Sequence, residues 1–187
     1  FFFVFKMILK FLEKDYKLAL HRAETQGLLK NNSCGIQGVI NGHIGEICFF
    51  KYFNKNYNIQ HINDKDYDFL LENFKIEIKT KQVNSLKLKS FYTNRVSSQN
   101  PNQYCDYYVF LRLKYLTCRT GFIKFCGFIS RKLFLNQSFY KSNYFHIPIS
   151  KCYGLNNFLM LLNSKTSKFP VTTNVSVKQL LYILFLK

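Results

Sequence analysis

The amino-acid sequence predicts an α/β protein, and three observations carry that prediction. Apolar residues recur at three- and four-residue steps near the start of the chain and again over residues 43–54, the period of a helix packed on one face. Five short runs between residues 57 and 129 are rich in aromatic and β-branched side chains, as strands are. The length of 187 residues suits one domain with a substantial core. That domain reads as a helical N-terminal part (1–37), a central core (38–130) and a basic C-terminal part (131–187).

Taken in order, Ile8, Leu9, Leu12, Tyr16, Leu20 and Ala23 predict one helix over residues 7–30. Gly35, Gly38, Gly42 and Gly45 punctuate the approach to a second helix at 43–54, where Ile47 and Phe50 face a core and Glu46 lies on another side of the turn. Strands are expected at 57–62, 66–71, 74–82, 106–113 and 121–129. Residues 84–103, rich in Asn, Ser and Lys, read as a long loop or irregular helix. Helices near 155–163 and 176–186 close the chain. The apolar start, Phe1 to Phe5, is short, and no stretch reaches the roughly 18 uninterrupted apolar residues of a membrane span. No membrane association is expected, although Phe1 to Phe5 and Leu180 to Leu186 would be the segments to serve a peripheral one.

Hydrophobic residues make up 48% of the chain, with only 8 Gly and 3 Pro, which excludes disordered and collagen-like classes. Lys and Arg number 27 against 10 Asp and Glu, a net charge of +17, and so basic a globule is suited to a polyanion. AT-rich coding accounts for part of the Lys, Asn and Phe content. It does not account for where the acids fall: six of the ten lie between Glu46 and Glu77, and none follows Asp106. Six cysteines show no CxxC pair and no metal-ligand spacing with the four histidines, so no zinc site or disulfide framework is expected. Reduced thiols point to a cytoplasm-like compartment, in a bacterium, a phage-infected cell or an organelle matrix, and not to secretion.

The informative segment is DYDFLLENFKIEIKTK, residues 66–81. Tyr67, Phe69 and Leu71 alternate on one arm and Phe74, Ile76 and Ile78 on the other, with Glu72-Asn73 as a two-residue turn. That turn fixes pairs whose residue numbers sum to 145, so Asp68 stands opposite Glu77 and Asp66 opposite Lys79. Facing carboxylates repel. A divalent cation such as Mg²⁺ relieves the repulsion, since it takes one or two carboxylates and completes its shell with carbonyls, water and substrate phosphate. Lys79, two residues beyond Glu77, falls on the same face, where it can orient or deprotonate an attacking water.

Gly45-Glu46 on a helix, then Asp68, then Ile76-Glu77-Ile78-Lys79-Thr80 resembles the PD-(D/E)XK nuclease superfamily, over roughly residues 38–130. The resemblance implies a restriction-endonuclease-like αβββαβ core with a mixed central sheet flanked by helices. It implies a Mg²⁺-dependent endonuclease, with Mn²⁺ able to substitute, that hydrolyses phosphodiester bonds in DNA. In that scheme Asp68, Glu77 and the backbone carbonyl of Ile78 hold the metal, Lys79 handles the water, and Glu46 is either a third ligand or a residue that tunes the site. Tyr67 stands where many members have Pro, which leaves Asp66 as a competing position. Gln99 and Gln103 are the options for the glutamine some members carry after the lysine.

Lys81, Lys87, Lys89, Arg95, Arg112, Arg119, Arg131 and Lys132 are the expected contacts to nucleic acid, with RNA the other polyanion to consider and a homodimer open. Aromatics in residues 90–95 are available to stack on bases. His21, His43, His61 and His146 have no spacing that requires a role and read as surface or core-edge imidazoles, although His61, near Asp64 and the expected site, could approach the nucleophile. The competing reading is a basic nucleic-acid-binding or ribonucleoprotein component on the same fold, without turnover.

Overall fold

The computed structural model describes residues 7–26, 35–62, 66–86, 93–97, 104–142 and 144–166. Its elements run β1 (Ile8–Phe11), α1 (Glu13–Gln26), α2 (Gly35–Phe53), β2 (Ile59–His61), β3 (Phe69–Leu71), β4 (Phe74–Gln82), β5 (Thr93–Ser97), β6 (Tyr107–Tyr115), β7 (Gly121–Ser130), α3 (Arg131–Gln137), β8 (Phe139–Lys141), β9 (Tyr144–Pro148), a 3-10 turn (Ile149–Lys151) and α4 (Leu155–Thr166). The protein is mixed α/β. A six-stranded sheet has the order β1-β7-β6-β4-β3-β2, and β5-β9-β8 form a second, three-stranded sheet. Only β4 and β6 pair in parallel; the other neighbours in the large sheet are antiparallel.

Alternation along the central strands creates two cores. Ile76, Val109, Leu111 and Phe128 meet Ile44 and Phe49 of α2, Ala19 of α1 and Phe158 of α4 on one face. On the opposite face, Tyr108, Phe110 and Ile129 meet Phe134 of α3, Val96 of β5 and Ile147 of β9. Residues from β9 and α4 thus complete both cores. In β7 the register shifts opposite Phe110 and Leu111, which leaves Cys126 as an extra residue. The bulge reverses the alternation, so Phe125 and Phe128 share a face although they are three apart. Gly127 takes φ +142° there, a conformation L side chains rarely adopt.

The expected single helix over 7–30 is corrected. Residues 8–11 pair with β7, where Phe11 is fully buried and packs edge-on against Tyr115 at 5.4 Å. The helix begins only after Leu12, whose N–H is accepted by Asp15 Oδ2 at 3.0 Å, the backward half of a capping box. Asp15 also pairs with Lys51 of α2. The second helix starts at Gly35, eight residues before the expected 43, because its glycines lie within the helix. At Gly45 a Cβ would stand 1.9 Å from Thr80 Oγ1, so this glycine lets α2 lie directly on β4.

Strands were expected at 74–82, 106–113 and 121–129 and are found at 74–82, 107–115 and 121–130. β5, α3, β8 and β9 were not expected. The αβββαβ order puts a helix between the third strand and its parallel neighbour; the described residues of 83–106 hold β5 there. The helix expected at 176–186, the segment 180–186 and the start at 1–5 lie outside the described residues. Among the described residues no helix is long and apolar enough to cross a membrane. Cys48, Cys105, Cys118, Cys126 and Cys152 are free thiols.

Candidate active site

The β3–β4 hairpin forms the base of the site. Its pairs are Phe69 with Ile76, Leu70 with Lys75 and Leu71 with Phe74, the register that sums to 145. Glu72 and Asn73 have φ +47° and +69°, as a type I′ turn requires at both central positions. The Glu72 carboxylate accepts the Asn58 N–H at 2.6 Å, tying the turn to the chain entering β2.

The ladder ends at Phe69 and Ile76, and the strands part at Asp68. There the Asp68 N–H donates to the Ile76 carbonyl at 3.0 Å, while its side-chain Oδ2 accepts the Ile78 N–H at 2.6 Å. A side chain thus replaces the next rung of the sheet. Because N–H and C=O of one strand residue leave on the same side, the Ile78 carbonyl points into the same fork as the Asp68 carboxylate. Asp66 gains no ladder position opposite Lys79, as the extended register would have given it. Asp68 is thus the carboxylate that caps the end of this ladder.

Glu77 and Lys79 project from β4 on the face opposite Ile76 and Ile78. Lys79 Nζ donates to Glu77 Oε1 at 2.5 Å, with the glutamate side chain 7% exposed. From the other face, α2 brings Glu46 alongside. His43 Nδ1 lies 3.1 Å and His61 Nε2 3.6 Å from the same Glu46 Oε2, and His43 Nε2 contacts Gln26 Oε1 at 2.9 Å.

The electrostatics follow from crowding acids together. Burial, then the charges of Glu77 and Glu46, push the Asp68 carboxyl well above the usual range; the Ile78 N–H and Lys79 offset only part of this. Burial also raises Glu46, but hydrogen bonds from His43 and His61 outweigh it and hold this carboxyl at about 2. Burial disfavours the Lys79 ammonium, yet Glu77 beside it and Asp68 beyond outweigh that cost and raise its pKa. Around this point negative charge exceeds what one lysine balances, which suits an added cation. Among the described residues no three His, Cys, Asp or Glu form a ready-made ligand cluster. The oxygen set of Asp68, Glu77 and the Ile78 carbonyl still fits Mg²⁺, which needs few protein ligands.

His43 and His61 are the site residues that sequence reasoning passed over. His43 left a signal, three residues before Glu46 on one helix. His61 left only its place in the chain near Asp64, and the pairing of β2 with β3 carries it to the site.

The basic residues divide. Lys81 is exposed on the Glu77 side of β4, and Arg131 and Lys132 open α3 at the same end of the sheet. Arg112 is 1% exposed and donates Nη1 to the Leu111 carbonyl at 3.3 Å, so it belongs to the interior and not to a nucleic-acid contact. Arg119 binds Glu13 at 3.1 Å in the β6–β7 turn, about 23 Å along the strands from the Glu77 end, and is likewise removed from the expected groove. Arg95 lies in β5 opposite His146. Lys87, Lys89, Gln99, Gln103 and most of the segment 90–95 lie outside the described residues.

No protein-family model matches the chain, and no curated protein matches it at a significant level of similarity.

Proposed function

We propose that this protein is a metal-dependent nuclease on a restriction-endonuclease-like core, hydrolysing phosphodiester bonds in DNA. The observation that supports this most directly is the fork at Asp68. One half-buried carboxylate is fixed to the Ile78 N–H, beside Glu77 and Lys79 of the next strand and Glu46 of the preceding helix. An α/β protein with 10 acids among 187 residues brings two of them, Glu77 and Glu46, close enough to act on a third, Asp68, an arrangement that costs stability and is explained by chemistry.

In this reading Asp68, Glu77 and the Ile78 carbonyl hold Mg²⁺ or Mn²⁺. The bound cation would neutralise charge on the scissile phosphate and acidify water. Lys79, kept as an ammonium by Glu77, donates a hydrogen bond that orients the attacking water and stabilises charge developing on the phosphate oxygens. Glu46, held as an anion by His43 and His61, keeps the field at Asp68 negative and so favours cation uptake. Lys81, Arg131 and Lys132 supply positive charge beside the site for the polyanion.

The test is nicking of supercoiled plasmid in Mg²⁺, Mn²⁺ or EDTA. Cleavage should need metal, and Lys79→Ala should slow it by about 10²–10⁴-fold with unchanged far-UV circular dichroism and DNA affinity. Cleavage by Lys79→Ala at the parent rate would overturn the mechanism. A folded parent that binds DNA equally with and without Mg²⁺ and cleaves none would favour the non-catalytic binding protein.

A further inference from the structure

Among the described residues most aromatic side chains are buried or half-buried. Among the described residues the large exposed aromatics are Tyr104 (65% exposed), Phe139 (46%) and Tyr140 (59%). They lie at the two ends of α3, whose Phe134 packs on the Glu77 side of the central sheet, but Phe139 and Tyr140 are consecutive in β8 and point to opposite faces of the small sheet, Tyr140 packing against Phe145 at 5.5 Å. Arg131, the first residue of α3, places its guanidinium 5.4 Å from the centre of the Tyr104 ring. Phe139 and Tyr140 begin β8 just after its last turn, and the Phe139 ring lies nearly parallel to His146 at 5.4 Å. A seven-residue helix separates the two groups, about 10 Å along its axis.

This surface adjoins the site. Cys105, the neighbour of Tyr104, feels the charges of Glu77, Lys79 and Arg131 together, and Glu77 is in register with Tyr108 on β6. Lys132, Lys141 and Lys151 are exposed on the same stretch of chain, and no acid occurs after Asp106. Exposed rings set among cations are what unpaired bases need, since ring faces stack on any base while the cations follow the backbone. A regular duplex keeps its base faces covered and would meet only the cations.

We infer that Tyr104 on Arg131, with Phe139 at the other end of α3, forms a stacking surface for unpaired nucleotides that leads a single-stranded or branched DNA to the Asp68 site. This rests on the nuclease reading for its substrate, but the surface itself can be tested without cleavage.

The experiment is fluorescence anisotropy in EDTA with a labelled 20-nucleotide oligothymidylate and a 20-base-pair duplex. The parent should prefer the single strand. Tyr104→Ala and Phe139→Ala should each weaken single-strand binding by roughly 5- to 150-fold and change duplex affinity by less than about twofold. Tyr104→Phe, which keeps the ring, should restore binding. Equal losses on both probes, or no loss on either, would overturn the stacking surface. Tighter binding of oligouridylate than of oligothymidylate would overturn its assignment to DNA. A parent that binds through Tyr104 but never cleaves would refute the nuclease reading alone; one that cleaves with a preference unchanged by Tyr104→Ala would refute this inference alone.

Discussion

Replacing Asp68 by Asn is expected to stabilise the metal-free protein while removing its ability to hold a cation. The Asn carbonyl oxygen can still accept the Ile78 N–H that Asp68 accepts at 2.6 Å, so the hairpin keeps its bond. What disappears is a negative charge beside Glu77 and Glu46. Like unit charges about 5 Å apart repel by about 3 kcal/mol at an effective dielectric constant near 20. Lys79 offsets part of this, leaving a gain of about 1–2 kcal/mol, or about 2–8 °C in Tm for a chain of this size. The pH dependence has a definite sign. Because the folded pKa of Asp68 is raised, the stability tied to this group is fully present below the unfolded carboxyl pKa and is lost as pH rises through the folded value. The gain from Asp68→Asn should therefore grow with pH in EDTA, and excess Mg²⁺ should narrow it by stabilising the parent only. Thermal melts from pH 5 to 9, with EDTA and with Mg²⁺, measure all of this. A variant less stable than the parent in EDTA at every pH would refute the account of Asp68 as a carboxylate held against repulsion.

Three further outcomes are expected. Gly45→Ala should lose about 1–3 kcal/mol in urea unfolding, because the new Cβ meets Thr80 Oγ1 at 1.9 Å; Thr80→Ala in the same chain should recover part of the loss. Asp15→Ala should cost about 1–3 kcal/mol by leaving the Leu12 N–H without its acceptor and removing the partner of Lys51, again read by urea unfolding, and a change under 0.5 kcal/mol would contradict the capping role. Glu46, depressed to about 2 by His43 and His61, contributes stability that is present above the unfolded carboxyl pKa and lost as pH falls toward 2. Glu46→Gln should thus be less stable than the parent near pH 5, with the difference shrinking in acid titrations toward pH 2.

The elements legible in the sequence were those whose cause is local. The β3–β4 hairpin follows from period-two alternation on both arms and a two-residue turn, so its register could be written as a sum of residue numbers. The ends of β4, β6 and β7 were found closely for the same reason. Asp68, Glu77 and Lys79 could be placed near one another because they lie on that hairpin, and Glu46 because it sits on the helix before it.

What only the tertiary structure decided has its cause in distant chain. Residues 8–11 carry a pattern that a helix or a strand could use, and pairing with β7 more than a hundred residues away makes them a strand. Gly45 reads as punctuation until Thr80 fills the space a side chain would occupy. Arg112 reads as a surface cation until alternation along β6, buried on both faces, turns it inward. His61 reaches Glu46 only through the sheet. A sequence determines alternation, turn chemistry and charge directly, because these depend on neighbours along the chain. Which residues share a site depends on how helices and strands pack, and here that packing alone brought His61 to Glu46 and Arg131 to Tyr104.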